Sequence, residues 1–261
     1  MEKLVVDALS VQIGDTVLLN HIDIDLTIGK ALIIIGESGS GKTLLTKMII
    51  GQVPKQAIIS GKILYKGLSL LDLSKKEWQV LRGTKIAYMV QNPMAMFNPF
   101  QKIKVHFLET ILSHDKMSKE GCLDKAIQAM KDVRLGHPQD VLEKYPFELS
   151  GGMLQRVMLA ILLCLNTDTI ILDEPTSALD AYNRDNIVRL LKMLLEKGKT
   201  LITVTHDYDL AHALGGEMLV MYKGDIVERG FVEDVLENPQ HPYTQELVLG
   251  NPYERLVNEH D

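Results

Sequence analysis

Hydrophobic positions near the start of the chain, residues 3–28, recur every second residue. Ile22, Ile24, Leu26 and Ile28 alternate there with Asp23, Asp25 and Thr27. A period of two marks a strand with one face buried and the other in water, so this segment predicts antiparallel β-structure. Ser60 to Lys66 reads the same way. Ala31–Ile35, Ile86–Val90, Thr169–Leu172 and Leu201–Thr205 are short, mostly apolar runs. Runs of that kind predict strands buried on both faces of a parallel sheet. Helical spacing takes over at Leu44, Leu45, Met48 and Ile49, and again at Ile187, Leu190, Leu191, Leu194 and Leu195, where Gly198 supplies a stop. Met218–Tyr222 and Ile226–Glu228, joined through Lys223-Gly224-Asp225, predict a hairpin.

From about residue 97 to 147 the character changes. Leu108, Ile111 and Leu112 predict one helix, Leu123, Ala126, Ile127 and Met130 a second, and Pro138 fits the first turn of a third. The whole reads as an α/β core with a parallel sheet, an N-terminal antiparallel β-subdomain and an inserted helical subdomain. Ligands of such a core gather at the carboxyl ends of its strands.

Composition narrows the function classes. The 261 residues suffice for one large domain or two small ones. A net charge of −6 argues against a nucleic-acid partner, which usually calls for a basic excess. Cys122 and Cys164 are far apart in apolar helical patterns and read as core thiols of a reducing compartment. The N-terminus lacks a signal-peptide pattern, and the longest apolar stretch, Val157–Leu165, is too short to span a bilayer. The chain is therefore expected in the cytoplasm, with any membrane role supplied through a partner.

Candidate chemistry begins at Gly36-Glu37-Ser38-Gly39-Ser40-Gly41-Lys42-Thr43, which fits the phosphate-loop pattern between a buried strand and a helix. Its glycines let the backbone curl so that successive N–H groups form an anion nest, and the following helix adds its positive end. Lys42 would reach the terminal phosphates of ATP and the Thr43 hydroxyl would ligate Mg²⁺. Asp173 ends an apolar strand, where a metal-holding carboxylate belongs, and Glu174 follows as the candidate general base. Gln91 ends another strand, positioned to touch metal and attacking water, and His206 ends a third, a candidate contact to the γ-phosphate. Ser150 can cap a helix starting at Gly151 and Gly152, whose N–H groups make a second phosphate site. One ATP cannot readily use both cradles of a single subunit, so a head-to-tail dimer with nucleotide between the subunits is expected.

Residues 36–43, 91, 149–156, 170–174, 177–180 and 206 resemble, in order, the Walker A, Q-loop, signature, Walker B, D-loop and H-loop motifs of ABC transporter ATPases. The resemblance covers nearly the whole chain and implies one ABC ATPase domain over 1–261. Met153, where many such ATPases have Gln, and the tail Asn238-Pro239-Gln240-His241-Pro242-Tyr243-Thr244 are similar to the oligopeptide/dipeptide/nickel importer branch. Gly151–Arg156, Leu81–Ala87 and Phe97–Pro99 most resemble its nickel-importing members, so the expected cargo is nickel, with peptides as the alternative. The implied partners are integral-membrane permease subunits, a second and related ABC ATPase subunit and, indirectly, a solute-binding protein. The implied location is peripheral, on the cytoplasmic face of the cell membrane. A soluble ABC ATPase outside transport would usually carry two cassettes or long coiled coils, which are lacking, and the signature stretch and Glu174 disfavour a phosphate-loop kinase.

Two departures from the family matter. Ile13 falls where these ATPases commonly place an aromatic to stack on adenine, with Tyr65 as the alternative aromatic. The chain reaches Asp261 without the cysteine-rich segment of some relatives, so no iron–sulfur site is expected.

Overall fold

The computed structural model describes residues 1–250; the final stretch, 251–261, lies outside the described residues. In chain order, β1 (Lys3–Ile13), β2 (Thr16–Thr27), β3 (Ala31–Ile35), α1 (Lys42–Ile49), β4 (Ile58–Tyr65) and β5 (Leu68–Ser69) come first. They are followed by α2 (Lys75–Leu81), β6 (Ile86–Met89), α3 (Ile103–His114), α4 (Lys119–Asp132), α5 (Pro138–Glu143), α6 (Gly151–Leu163), β7 (Thr169–Asp173) and α7 (Ala181–Glu196). The chain continues through β8 (Thr200–Val204), α8 (Tyr208–Leu214), β9 (Glu217–Tyr222), β10 (Asp225–Phe231), α9 (Val232–Glu237) and α10 (Pro242–Leu249). The described elements form two compact units, Met1–Lys76 with the described chain from Ile202 onward, and Glu77–Leu201.

In the first unit, the period-two segment becomes the antiparallel hairpin β1–β2, extended in the order β2-β1-β4-β5. Leu19, Ile22, Ile24 and Leu26 turn inward, while Asp23 and Asp25 stay outside. The same unit contains the strand order β10-β9-β3-β8, in which β3 and β9 run parallel from Leu32↔Glu217 to Ile35↔Val220. All five residues of β3 are buried. Each fully buried Leu or Ile of this kind contributes roughly 1.5–3 kcal/mol. The predicted hairpin is β9–β10, turning at Lys223-Gly224.

In the second unit, β6 and β7 pair in parallel from Ile86↔Thr169 to Met89↔Leu172. Helices α3, α4 and α5 occupy the stretch where the pattern changed, and Pro138 stands at the first position of α5. One sequence expectation needs correcting here. The buried face of α3 is Ile103, Phe107 and Ile111, and Leu112 is exposed, because the 3.6-residue repeat runs from Phe107 to Ile111 and not through Leu112. Cys122 and Cys164 are free and buried, and burial pushes the Cys164 thiol up to about 12. A thiol so poorly ionised is an inert packing group. No helix among the described residues is long and apolar enough to cross a membrane.

Candidate active site

The loop Gly36–Thr43 connects β3 to α1 within the first unit. Gly36 has φ of +145°, and a Cβ there would lie 2.2 Å from the carbonyl oxygen of Met221 on β9. Any side chain would push the loop off that strand, so this position requires glycine. Lys42 is buried and folds back across the loop, its Nζ donating to the carbonyl oxygens of Gly36 at 2.6 Å and Glu37 at 2.7 Å. Two further backbone groups are held from outside the curl. The Glu37 N–H donates to the Tyr243 hydroxyl at 2.8 Å, and the Ser40 carbonyl accepts from the Gly224 N–H at 3.1 Å. Glu37, Ser38 and Gly39 are exposed, Ser40 is buried, and Gly41 and Thr43 are half-buried.

His206 lies two residues beyond β8 in the same unit. It is exposed at its outer side, yet partial desolvation of the ring, helped by the nearby Lys42 ammonium, lowers its pKa below 6.5. The histidine is therefore neutral near pH 7, a hydrogen-bonding imidazole and not a second cation. Ile13 is half-buried at the end of β1, opposite Thr16. Leu18 and Leu19 of the same hairpin abut Gly41.

The second unit holds the carboxylates. Asp173 ends β7 with 2% of its surface exposed, and the Tyr88 hydroxyl of β6 donates to its Oδ2 at 3.2 Å. Glu174 is buried and adopts a left-handed backbone with φ of 53°. That conformation costs a non-glycine residue about 1–2 kcal/mol, so its surroundings must impose it. They do so through its carbonyl, which accepts from Gln155 Nε2 at 2.9 Å and from Ser177 Oγ at 3.1 Å.

Gln155 belongs to α6, whose N-terminus is the Ser150-Gly151-Gly152 stretch. Ser150 caps that helix as expected, its Oγ accepting from the Met153 N–H at 3.2 Å. Ser150 and Gly151 are exposed there. Gly152 has a different reason to be glycine, since a Cβ would lie 2.9 Å from the Ala178 carbonyl oxygen. Arg156 donates to the carbonyls of Gly152 and Arg134, which ties the first turn of α6 to the segment after α4. Stretches 149–156 and 173–180 thus form one block. Gln91 is exposed just past β6.

Tyr88 was not among the candidate residues read from sequence, Gln155 and Arg156 were noted only within the signature stretch, and Tyr243 only as part of a tail motif. Gln155 did carry a signal, a lone amide on the buried face of an otherwise apolar helix.

A glycine-rich loop between strand and helix in one unit, and a capped helix with strand-end acids in the other, are each parts expected of an ATP-binding cassette. Among solved structures the chain matches the ATP-binding cassette MJ0796, described as a dimeric post-hydrolysis state bound to ADP and Pi. The match has a TM-score of 0.77 and 27% identity, covering 89% of this chain and 99% of that one. Residues 19–177 match the ABC transporter family, and the chain belongs to it. It is 38% identical to the dipeptide transport ATP-binding protein DppD of Lactococcus lactis subsp. cremoris, over 92% of this chain and 69% of the relative. It is 36% identical to the oligopeptide transport ATP-binding protein OppD of Bacillus subtilis, over 92% of this chain and 68% of that one.

Proposed function

We propose that this chain is the ATP-hydrolysing subunit of an importer for dipeptides or oligopeptides. The observation that carries the cargo is the similarity, over nine-tenths of the chain, to ATPases named for dipeptide and oligopeptide transport. The nickel expectation rested on small differences at Gly151–Arg156, Leu81–Ala87 and Phe97–Pro99. These relatives do not support it, and peptide takes its place.

In this reading the N–H groups of residues 36–43 cradle the triphosphate while Lys42 neutralises its terminal charge. Among the described residues, no group of three or more His, Cys, Asp or Glu side chains forms a metal cage. In this reading the buried Asp173 carboxylate and the Thr43 hydroxyl would hold Mg²⁺, an ion that takes few protein ligands and keeps much of its water shell. Bound there, the ion would neutralise charge building on the phosphates. Glu174 takes the proton of the attacking water, Gln91 and His206 orient water and γ-phosphate, and Ser150, Gly151 and Gly152 grip the nucleotide of a partner ATPase subunit. ATP binding closes that dimer, and hydrolysis releases it because the differential contacts are gone. The permease, against whose cytoplasmic side the ATPase sits, converts the cycle into transport, and a solute-binding protein delivers the cargo.

Uptake by a strain lacking this chain is the test. Labelled dipeptide uptake should fall to background and return with the restored gene, while nickel uptake stays unchanged. Loss of nickel uptake with normal peptide uptake would return the cargo to nickel.

A further inference from the structure

The segment Asn238–Thr244 is built onto the phosphate loop. Glu228 accepts from the backbone N–H groups of Gln240 at 2.8 Å and His241 at 2.9 Å, pinning the start of the segment to β10. Gln245 Nε2 donates to the Pro239 carbonyl at 3.0 Å, and the Tyr243 N–H donates to His241 Nδ1 at 3.2 Å, which fixes the turn into α10. Farther along, the Tyr208 hydroxyl donates to the Leu247 carbonyl at 2.9 Å.

The result is a tyrosine aimed at one backbone amide. The Tyr243 ring, 9% exposed, lies 4.3 Å from the Tyr222 ring centre to centre. Tyr222 directly follows Met221, whose carbonyl abuts Gly36. The Tyr243 hydroxyl then accepts the Glu37 N–H at 2.8 Å. An amide in this half-enclosed place needs a partner, and no secondary-structure ladder supplies one.

We propose that Tyr243 is a positioning residue for nucleotide binding, and that docking of the tail 238–249 and occupancy of the phosphate loop are coupled. The Tyr243 hydroxyl holds the first turn of the loop so that the N–H groups further along converge inward. Without it the Glu37 amide turns toward water, and the binding-competent loop becomes a minor state. Apparent affinity falls in proportion to that fraction. Coupling is reciprocal, so nucleotide must tighten the tail by the same factor. The inference rests on residues 36–43 being the nucleotide loop and is independent of the cargo.

Two measurements on the full chain test it. Tyr243→Phe keeps the ring on Tyr222 and removes only the acceptor. It should weaken MgATP binding by about 2- to 12-fold, the range set by the net loss of one part-buried hydrogen bond. The KM for ATP should rise in step while kcat at saturation stays near wild type. A merely structural role would lower the melting temperature without that split. In the wild type, saturating MgATP should slow hydrogen exchange of amides 238–249, a result that stands even where the variant folds poorly. Wild-type affinity in Tyr243→Phe, or tail exchange unaffected by nucleotide, overturns the proposal. If the wild type itself binds no MgATP, the nucleotide-loop reading fails instead.

Discussion

Gln155 on α6 donates to the Glu174 carbonyl at 2.9 Å while its Oε1 accepts the Ala178 N–H at 3.2 Å. One fully buried amide thus holds both ends of the turn that carries the candidate base. Gln155→Leu keeps the volume and removes both bonds, costing the Ala178 N–H that partner at about 1–3 kcal/mol while the Glu174 carbonyl keeps its bond from Ser177. Glu174 is then free to leave its left-handed conformation. We expect kcat for ATP hydrolysis to fall about tenfold with the KM for ATP unchanged within about twofold, because the change touches the transition state and not substrate binding. Steady-state kinetics with the partner subunits present checks this. An unchanged kcat would reduce Gln155 to a packing residue.

In the same account we propose that Ile13 faces the base. Tyr65 cannot substitute for it, being 2% exposed and paired with Leu4 at the other end of β1. Nine steps along a bulged strand separate Leu4 from Ile13, at most about 30 Å. An isoleucine offers only part of the roughly 1–3 kcal/mol that aromatic stacking on a base supplies. ATP and GTP should therefore bind with similar, modest affinity. Ile13→Tyr should tighten both by about fivefold or more, with their ratio nearly constant. Titration of both nucleotides decides it, and no change in either affinity would mean that residue 13 does not face the base.

His206 should titrate below 6.5 in the nucleotide-free protein, first because its ring is desolvated and second because of Lys42. Lys42→Ala removes only the second cause, so it should move the value up but not fully to 6.5. The sign for stability follows from proton binding. As pH drops below 6.5 the unfolded chain takes up the proton before the folded one, so this site's contribution is intact above 6.5 and is lost as pH falls through the folded value. A pH titration of the His206 ring by NMR in both proteins measures the shift. A lower value in Lys42→Ala would contradict the assigned cause.

Local chemistry was legible in the sequence wherever the partners are close along the chain. The strand–loop–helix at 31–49 and the Ser150 cap of α6 both follow from short-range patterns. Buried strands were equally plain, because five apolar residues between turn signals leave few alternatives. Contacts between distant residues were hidden. Tyr243 meets Glu37 across 206 positions and Tyr88 meets Asp173 across 85, and no periodicity encodes such pairs. Pro138 flagged the six-residue α5, but other short helices escaped notice. α8 and α9 have 7 and 6 residues, too few for a 3.6-residue repeat to emerge, although Asp207 does cap α8 by accepting the Leu210 N–H. Cargo was the least legible feature, since no side chain described here is proposed to touch it.

ATP hydrolysis driven by peptide is the most direct test of the central claim. Wild type and Glu174→Gln would each be reconstituted in liposomes with the permease, the partner ATPase subunit and the solute-binding protein. Dipeptide should stimulate hydrolysis by the wild-type assembly and nickel should not. Glu174→Gln should bind ATP but turn over at least about 100-fold more slowly, the cost of losing a general base. Stimulation by nickel and not by dipeptide, or wild-type turnover in Glu174→Gln, would contradict the account.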